Sequence, residues 1–285
     1  MDYQWYPGHM TKTRREMQEN LKLIDLLIEI IDARIPCSGR NPDLLKLTLG
    51  KANLLLLGKA DLADPDETAL WTAHYASQGL HPYVCDLRNS KEIRRLTDVI
   101  LDICRDKIER DRRRGITGRP IRAMVAGIPN VGKSTFINSF SGSSSLKTGN
   151  KPGVTRGRQW IRMSKEVWLL DTPGLLWPKF EDQEIGKKIA LTGSIPDDIL
   201  DPGELSAELL RLLKETYPGA IAARYRIDED LSLPELYDAV ALKCGCLKKG
   251  GMPDYDKTAR VLLDDFRQGR IGRITLDHFH DMKER

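Results

Sequence analysis

Long apolar runs are missing from this 285-residue chain. A membrane-spanning helix needs roughly 18 or more apolar residues in succession. The best candidate, residues 21–31, is interrupted by Lys22, Asp25 and Glu29, which argues against a helical span. Cysteine is scarce as well. There are five, an odd number, and Cys37, Cys85 and Cys104 stand alone. That usage argues against a disulfide framework and fits reduced thiols. Cys244 and Cys246, taken with His278 and His280, match no common zinc-ligand spacing. Neither sign of charge dominates: 45 Lys and Arg against 41 Asp and Glu leave +4, a mild basic bias compatible with RNA but not demanding it. The opening residues Met1-Asp2-Tyr3-Gln4-Trp5 lack the basic-then-apolar layout of a secretory signal. A cytoplasmic monomer without a membrane span is expected.

Short apolar runs are present, at residues 26–31, 54–57, 83–85, 121–126 and 167–170, each ending at a loop rich in Gly, Pro or Asp. Helical patterns, such as residues 91–110 and 133–140, lie between them. This alternation predicts an α/β domain with a predominantly parallel sheet and helices on both faces. Thr13-Arg14-Arg15-Glu16 reads as a capping box. Past Trp177-Pro178 the pattern changes to helices only, over residues 184–191, 202–216, 233–242, 255–267 and 276–283. The expected division is therefore 1–181, an α/β domain, and 182–285, a smaller all-α domain. Arg and Lys crowd residues 105–122, where Asp106, Glu109 and Asp111 dilute them into a solvated helix and linker.

Three motifs carry chemistry. Gly127-Ile128-Pro129-Asn130-Val131-Gly132-Lys133-Ser134-Thr135 satisfies G-x-x-x-x-G-K-[ST] between a strand and a helix, the context a phosphate-binding loop requires. Its backbone N–H groups should face phosphates, Lys133 should neutralise them, and Ser134 should ligate Mg²⁺. Asp171-Thr172-Pro173-Gly174 follows another strand; Asp171 can hold Mg²⁺ through water, and the Gly174 amide can sense a γ-phosphate. Thr155, in the Ser-, Gly- and Lys-rich segment 141–158, is the expected second Mg²⁺ hydroxyl. Gly58-Lys59-Ala60-Asp61 ends a strand, and Asp61 can accept from the two N–H groups on guanine's pyrimidine edge. This base motif precedes the phosphate loop, the reverse of the ordinary order, as if the domain had been closed into a ring and cut elsewhere.

With Trp5-Tyr6-Pro7-Gly8-His9-Met10, Asp32-Ala33-Arg34-Ile35-Pro36 and Gly269-Arg270-Ile271-Gly272-Arg273-Ile274, the chain resembles the circularly permuted ribosome-biogenesis GTPases of the YlqF/RbgA family, almost end to end. The resemblance implies a circularly permuted P-loop GTPase domain that binds GTP and GDP with Mg²⁺. It implies a helical domain docking on rRNA of the large ribosomal subunit, and hydrolysis stimulated by that particle. It implies that His9 assists hydrolysis in place of the glutamine of Ras-type enzymes, whose position holds Leu175, and that Asn130 belongs to a potassium-dependent phosphate loop. The family's base motif starts with Asn, which bonds guanine and ties the base loop to the phosphate loop. Here Gly58 stands instead, and the next base-loop candidates, Cys85 and Asp86, depart from the usual Ser-Ala. Loss of that side chain should cost about 1–3 kcal/mol, and an asparagine restored at 58 is expected to tighten binding. An assembly factor with weak nucleotide affinity and little turnover is the alternative reading.

Overall fold

A strand covered on both faces reads as a continuous apolar run. Leu26–Asp32 (β1) is such a run, buried at all seven positions. The computed structural model of the protein describes residues 19–42, 44, 50–139, 159–171 and 182–283, and places β1 inside a six-stranded sheet. The other strands are β2 (Ala52–Gly58), β3 (Pro82–Val84), β4 (Ile121–Ala126), β5 (Gln159–Arg162) and β6 (Val167–Asp171). Their order is β3-β2-β1-β4-β6-β5. Every pairing is parallel except β5 on β6. The expected parallel sheet is thus present, with one antiparallel edge strand that the sequence pattern does not announce. β5 is four residues, Gln-Trp-Ile-Arg, too short and too polar for a visible alternation.

Alternate residues of a strand face opposite sides of its sheet, and β2 shows the consequence. Leu54 and Leu56 join the larger core cluster, whereas Leu55 and Leu57 join a smaller one with Trp71 and Tyr75. Trp71 and Tyr75 belong to α1 (Pro65–Ser77), which starts at an Asp64 cap accepting from Asp66 N and Glu67 N, with Pro65 in the first turn. The long helix expected over 91–110 is two helices, α2 (Ser90–Ile103) and α3 (Arg105–Arg113), broken at Cys104. Cys104 is buried at the break, and Lys107 just beyond it pairs with Asp25 and, within α3, with Asp111. α4 (Lys133–Asn138) follows the phosphate loop.

The rest of the described chain is helical: α5 (Gln183–Leu191), a 3₁₀ turn at Asp197–Ile199, α6 (Pro202–Thr216), α7 (Ala220–Tyr225), α8 (Leu233–Lys243), α9 (Tyr255–Arg267) and α10 (Phe279–Lys283). A lone antiparallel bridge, Leu247 to Pro253, is the strand-like pairing among the described residues here. α6 buries Leu205, Leu209, Leu210 and Leu213, and α9 buries Ala259, Leu262, Leu263 and Phe266. These are single-face stripes at helical spacing. They merge with the sheet's own core: Ile28, Leu54 and Val125 share one cluster with Ile189, Leu209 and Phe266. The segment after α9 then returns to the sheet. Ile274 N donates to Leu62 O at 3.0 Å, Leu276 N to Arg34 O at 2.7 Å, and Trp71 Nε1 to Asp277 O at 2.8 Å.

Candidate nucleotide site

The phosphate loop leaves β4 at Gly127, whose φ of 152° disfavours any side chain. A Cβ there would stand 2.4 Å from Ile30 O on the neighbouring strand, so the loop packs on β1 as only glycine permits. Gly132, at φ 107°, caps α4. Lys133 is buried, and its ammonium donates to Gly127 O at 3.0 Å and Ile128 O at 2.7 Å. Burial pushes its pKa down to about 8, against the opposing charge of Asp171. Asp171 is itself buried at the end of β6.

The base loop starts where β2 ends. Lys59 sits at φ 56°, a left-handed conformation costing a lysine about 1–3 kcal/mol unless its surroundings fix it. They do so here. Lys59 Nζ lies 3.0 Å from Asp32 Oδ2 and donates to Asn130 O, also at 3.0 Å. Asp32 is fully buried, which works against its charge. The guanidinium of Arg34 and the ammonium of Lys59 nonetheless hold its carboxyl well below the usual range. Arg34 grips it twice, Nε to Oδ1 at 3.0 Å and Nη2 to Oδ2 at 2.8 Å. Arg34 also stacks on Phe266, its guanidinium carbon 5.2 Å from the ring centre. The Asp-Ala-Arg segment thus joins the base loop to the helical part.

Between the two loops lies a cleft of about 530 Å³, within the range of small-molecule sites. Lys59, Asp61 and Leu62 form one wall, Asp86, Leu87 and Arg88 another, and Asn130, Val131, Gly132 and Thr135 a third. The helical part closes the remaining side with residues that include Gly193, Asp197 and Arg267. A loop suited to phosphate and a loop suited to a base therefore border one cavity of nucleotide size.

A family model described as 50S ribosome-binding GTPase matches residues 122–200. Ribosome biogenesis GTPase A of Priestia megaterium is 44% identical over 97% of this chain and 97% of its own length. The chain belongs to the ribosome biogenesis GTPase A family. A GDP-bound structure of TM YlqF is similar at a TM-score of 0.66 and 25% identity, covering 94% of this chain and all of that one. GNP-bound YlqF from T. maritima is similar at 0.63 and 26%, covering 94% and 98%.

In this member of the ribosome biogenesis GTPase A family the predicted residues are distributed unevenly. Asn130, Val131, Gly132 and Thr135 line the cleft with Lys59 and Asp61, and Lys133 and Ser134 begin α4 behind them. Asn130 adopts φ 56°, and its amide nitrogen donates to Gly193 O at 2.8 Å. Ala60 contributes its carbonyl, which accepts from Arg273 Nη2 at 2.9 Å. Asp61 accepts from Arg88 Nη2 at 2.7 Å, and Arg88 Nε also holds Asp86 Oδ1 at 2.9 Å. Of the base-loop candidates, Asp86 lines the cleft, whereas Cys85 is buried in the core. Burial, aided by Glu92 and Asp86, pushes its thiol up to about 12. Gly58 is packed beneath Leu87. His9, Thr155 and Gly174 lie outside the described residues. Asp32, Arg34, Arg88 and Gly193 also line or brace the site, beyond the residues expected from the sequence. For Asp32 and Arg34 a signal existed, since both belong to the Asp-Ala-Arg-Ile-Pro motif. The others sit in segments with no motif of their own.

Proposed function

We propose that this chain binds GTP and GDP in the cleft and hydrolyses GTP during assembly of the large ribosomal subunit. The observation that carries the reading is the Lys59-to-Asn130 bond, which holds the base loop and the phosphate loop on opposite walls of one cleft. Lys133 faces the phosphates in this reading, exchanging loop carbonyls for phosphate oxygens. Asp61 reads guanine, after Arg88 releases it. Ser134 and Asp171 offer the hydroxyl and carboxylate oxygens that suit Mg²⁺, and the buried Asp171 charge is already felt by Lys133. Bound there, the ion would neutralise charge on the phosphate oxygens. Thr155 would add a second hydroxyl and the Gly174 amide would sense the γ-phosphate. Asn130 would offer potassium its carboxamide oxygen, since its nitrogen is engaged by Gly193. His9 would orient the attacking water, and replacing it with alanine should lower kcat more than affinity.

Docking on rRNA is assigned to the helical part. Lys248 and Lys249 are exposed beside Met252 and Tyr255, which are 67% and 52% exposed. Arg270 and Arg273, expected to share in docking, are exposed as well but already paired. Arg270 pairs with Asp264 and Asp265, and Arg273 with base-loop carbonyls. The deciding experiment is GTP turnover with and without large-subunit particles, in potassium and in sodium. Particle-stimulated turnover that Lys133→Ala abolishes is expected. Tight particle binding with no turnover under any of these conditions would favour a non-hydrolysing assembly factor instead.

A further inference from the structure

Gly58 leaves the base motif without the side chain that ties base loop to phosphate loop in the resembled family, yet the two loops remain packed together. Leu87 explains how. A Cβ built on Gly58 would stand 2.9 Å from Leu87 Cδ1 and 3.4 Å from its Cγ. A Cβ built on Gly132 would stand 2.9 Å from the same Cδ1. One methyl group therefore occupies a notch walled by two glycines, one from each loop. Leu87 is only 4% exposed and belongs to the main core. Carbon atoms do not pack at such distances, so an asparagine at 58 and Leu87 in its present place exclude one another. Swinging Leu87 aside would also withdraw it from Gly132.

We propose that Leu87 is the residue that fastens the base loop to the phosphate loop in this protein, an apolar contact in place of a polar one, and that Gly58 is the space it requires. Leu87 is then a positioning residue. It sets where Asp61, three residues after Gly58, stands relative to the phosphates, while Lys59 supplies the second tie through Asn130. The inference rests on the cleft being a guanine-nucleotide site. It reverses the expectation from sequence alone, since restoring asparagine would overpack the notch rather than fill a gap.

The test is a double-mutant cycle on the full chain: wild type, Gly58→Asn, Leu87→Ala and the pair together, with Gly58→Ala as a purely steric control. Each is titrated with fluorescently labelled GDP and melted without nucleotide. Gly58→Asn and Leu87→Ala should each weaken GDP binding and lower Tm. The pair should bind more tightly than the sum of the single losses allows, by roughly two- to a hundredfold, the range for side chains that contend for one space. Gly58→Ala should lower Tm beside Leu87 and be neutral beside alanine. Should Leu87→Ala fail to fold, Leu87→Val makes similar room with less loss. Additive effects, or Gly58→Asn binding GDP as well as wild type with Leu87 present, would overturn the proposal. If wild type binds no guanine nucleotide, the site reading falls instead, and the melting cycle still decides whether Leu87 and residue 58 compete.

Discussion

At the scale of single residues, the site is held by charges that burial makes expensive and neighbours make tolerable. Lys133 is the clearest case. Its folded pKa near 8 lies below the ordinary 10.5, so the unfolded chain binds more protons between those values. Stability of the nucleotide-free protein should therefore rise as pH increases from about 8 to about 10.5, with the penalty fully present below that window. A bound polyphosphate favours the ammonium, so binding above pH 8 should take up a proton and weaken as pH rises. Calorimetric titration with GDP at about pH 8.5, in two buffers of different ionisation enthalpy, measures that uptake through the same linkage. No uptake would show that Lys133 does not face the phosphates. Asp61 makes a second prediction. In the proposed base site, Asp61→Asn would replace a charge-assisted bond worth about 1.5–3 kcal/mol, so GDP affinity should fall about ten- to a hundredfold. Affinity for xanthosine diphosphate should rise, because the amide can donate to the oxygen that replaces guanine's amine. Competition between the two nucleotides checks it, and unchanged guanine preference would mean that the base is read elsewhere.

At the scale of elements, much was legible because the physics is local. The strand core at residues 121–126 and the helices Pro202–Thr216 and Tyr255–Arg267 coincide with the expected bounds. Each is a periodic run between strong stop signals. The break at Cys104 was not legible, because no Gly or Pro marks it and the ion pair beside it, Lys107 with Asp25, spans some 80 residues of sequence. Likewise nothing in the sequence around Arg273 marks its partners, Ala60 O and Ala63 O, which are visible only in three dimensions. The phosphate loop was legible because its chemistry is contained in nine consecutive residues. The other wall of the cleft was only half legible, since Leu87 and Arg88 meet Gly58 and Asp61 across segments. Packing between α6 and α9 carries its own prediction. Leu209 is fully buried in α6, and Leu209→Ala should cost about 2–5 kcal/mol, read from the denaturant midpoint. A loss below about 1 kcal/mol would mean that the two helices do not share one core.

At the scale of the whole molecule, the helical part is both a wall of the cleft and the proposed reader of rRNA. Reversing charge at Lys248 and Lys249 should weaken binding to large-subunit particles and flatten its dependence on salt, by roughly one unit of logarithmic slope for each phosphate left without its cation. Nucleotide affinity should stay unchanged, because neither lysine borders the cleft. Sedimentation with particles over a salt series measures it, and an unaltered slope would place docking elsewhere. The return of the chain from α9 to the base loop has a consequence for biosynthesis. Arg273 and its acceptor Ala63 are 210 residues apart. At the ordinary pace of translation, 5–20 residues per second, the guanidinium is made roughly 10–40 s after the carbonyl it will hold. For all of that interval a nascent base loop has its lysine and its aspartate but not the clasp on the Ala60 and Ala63 carbonyls beside them. The base loop, made early, is thus among the last parts of a growing copy of this protein to be fully braced.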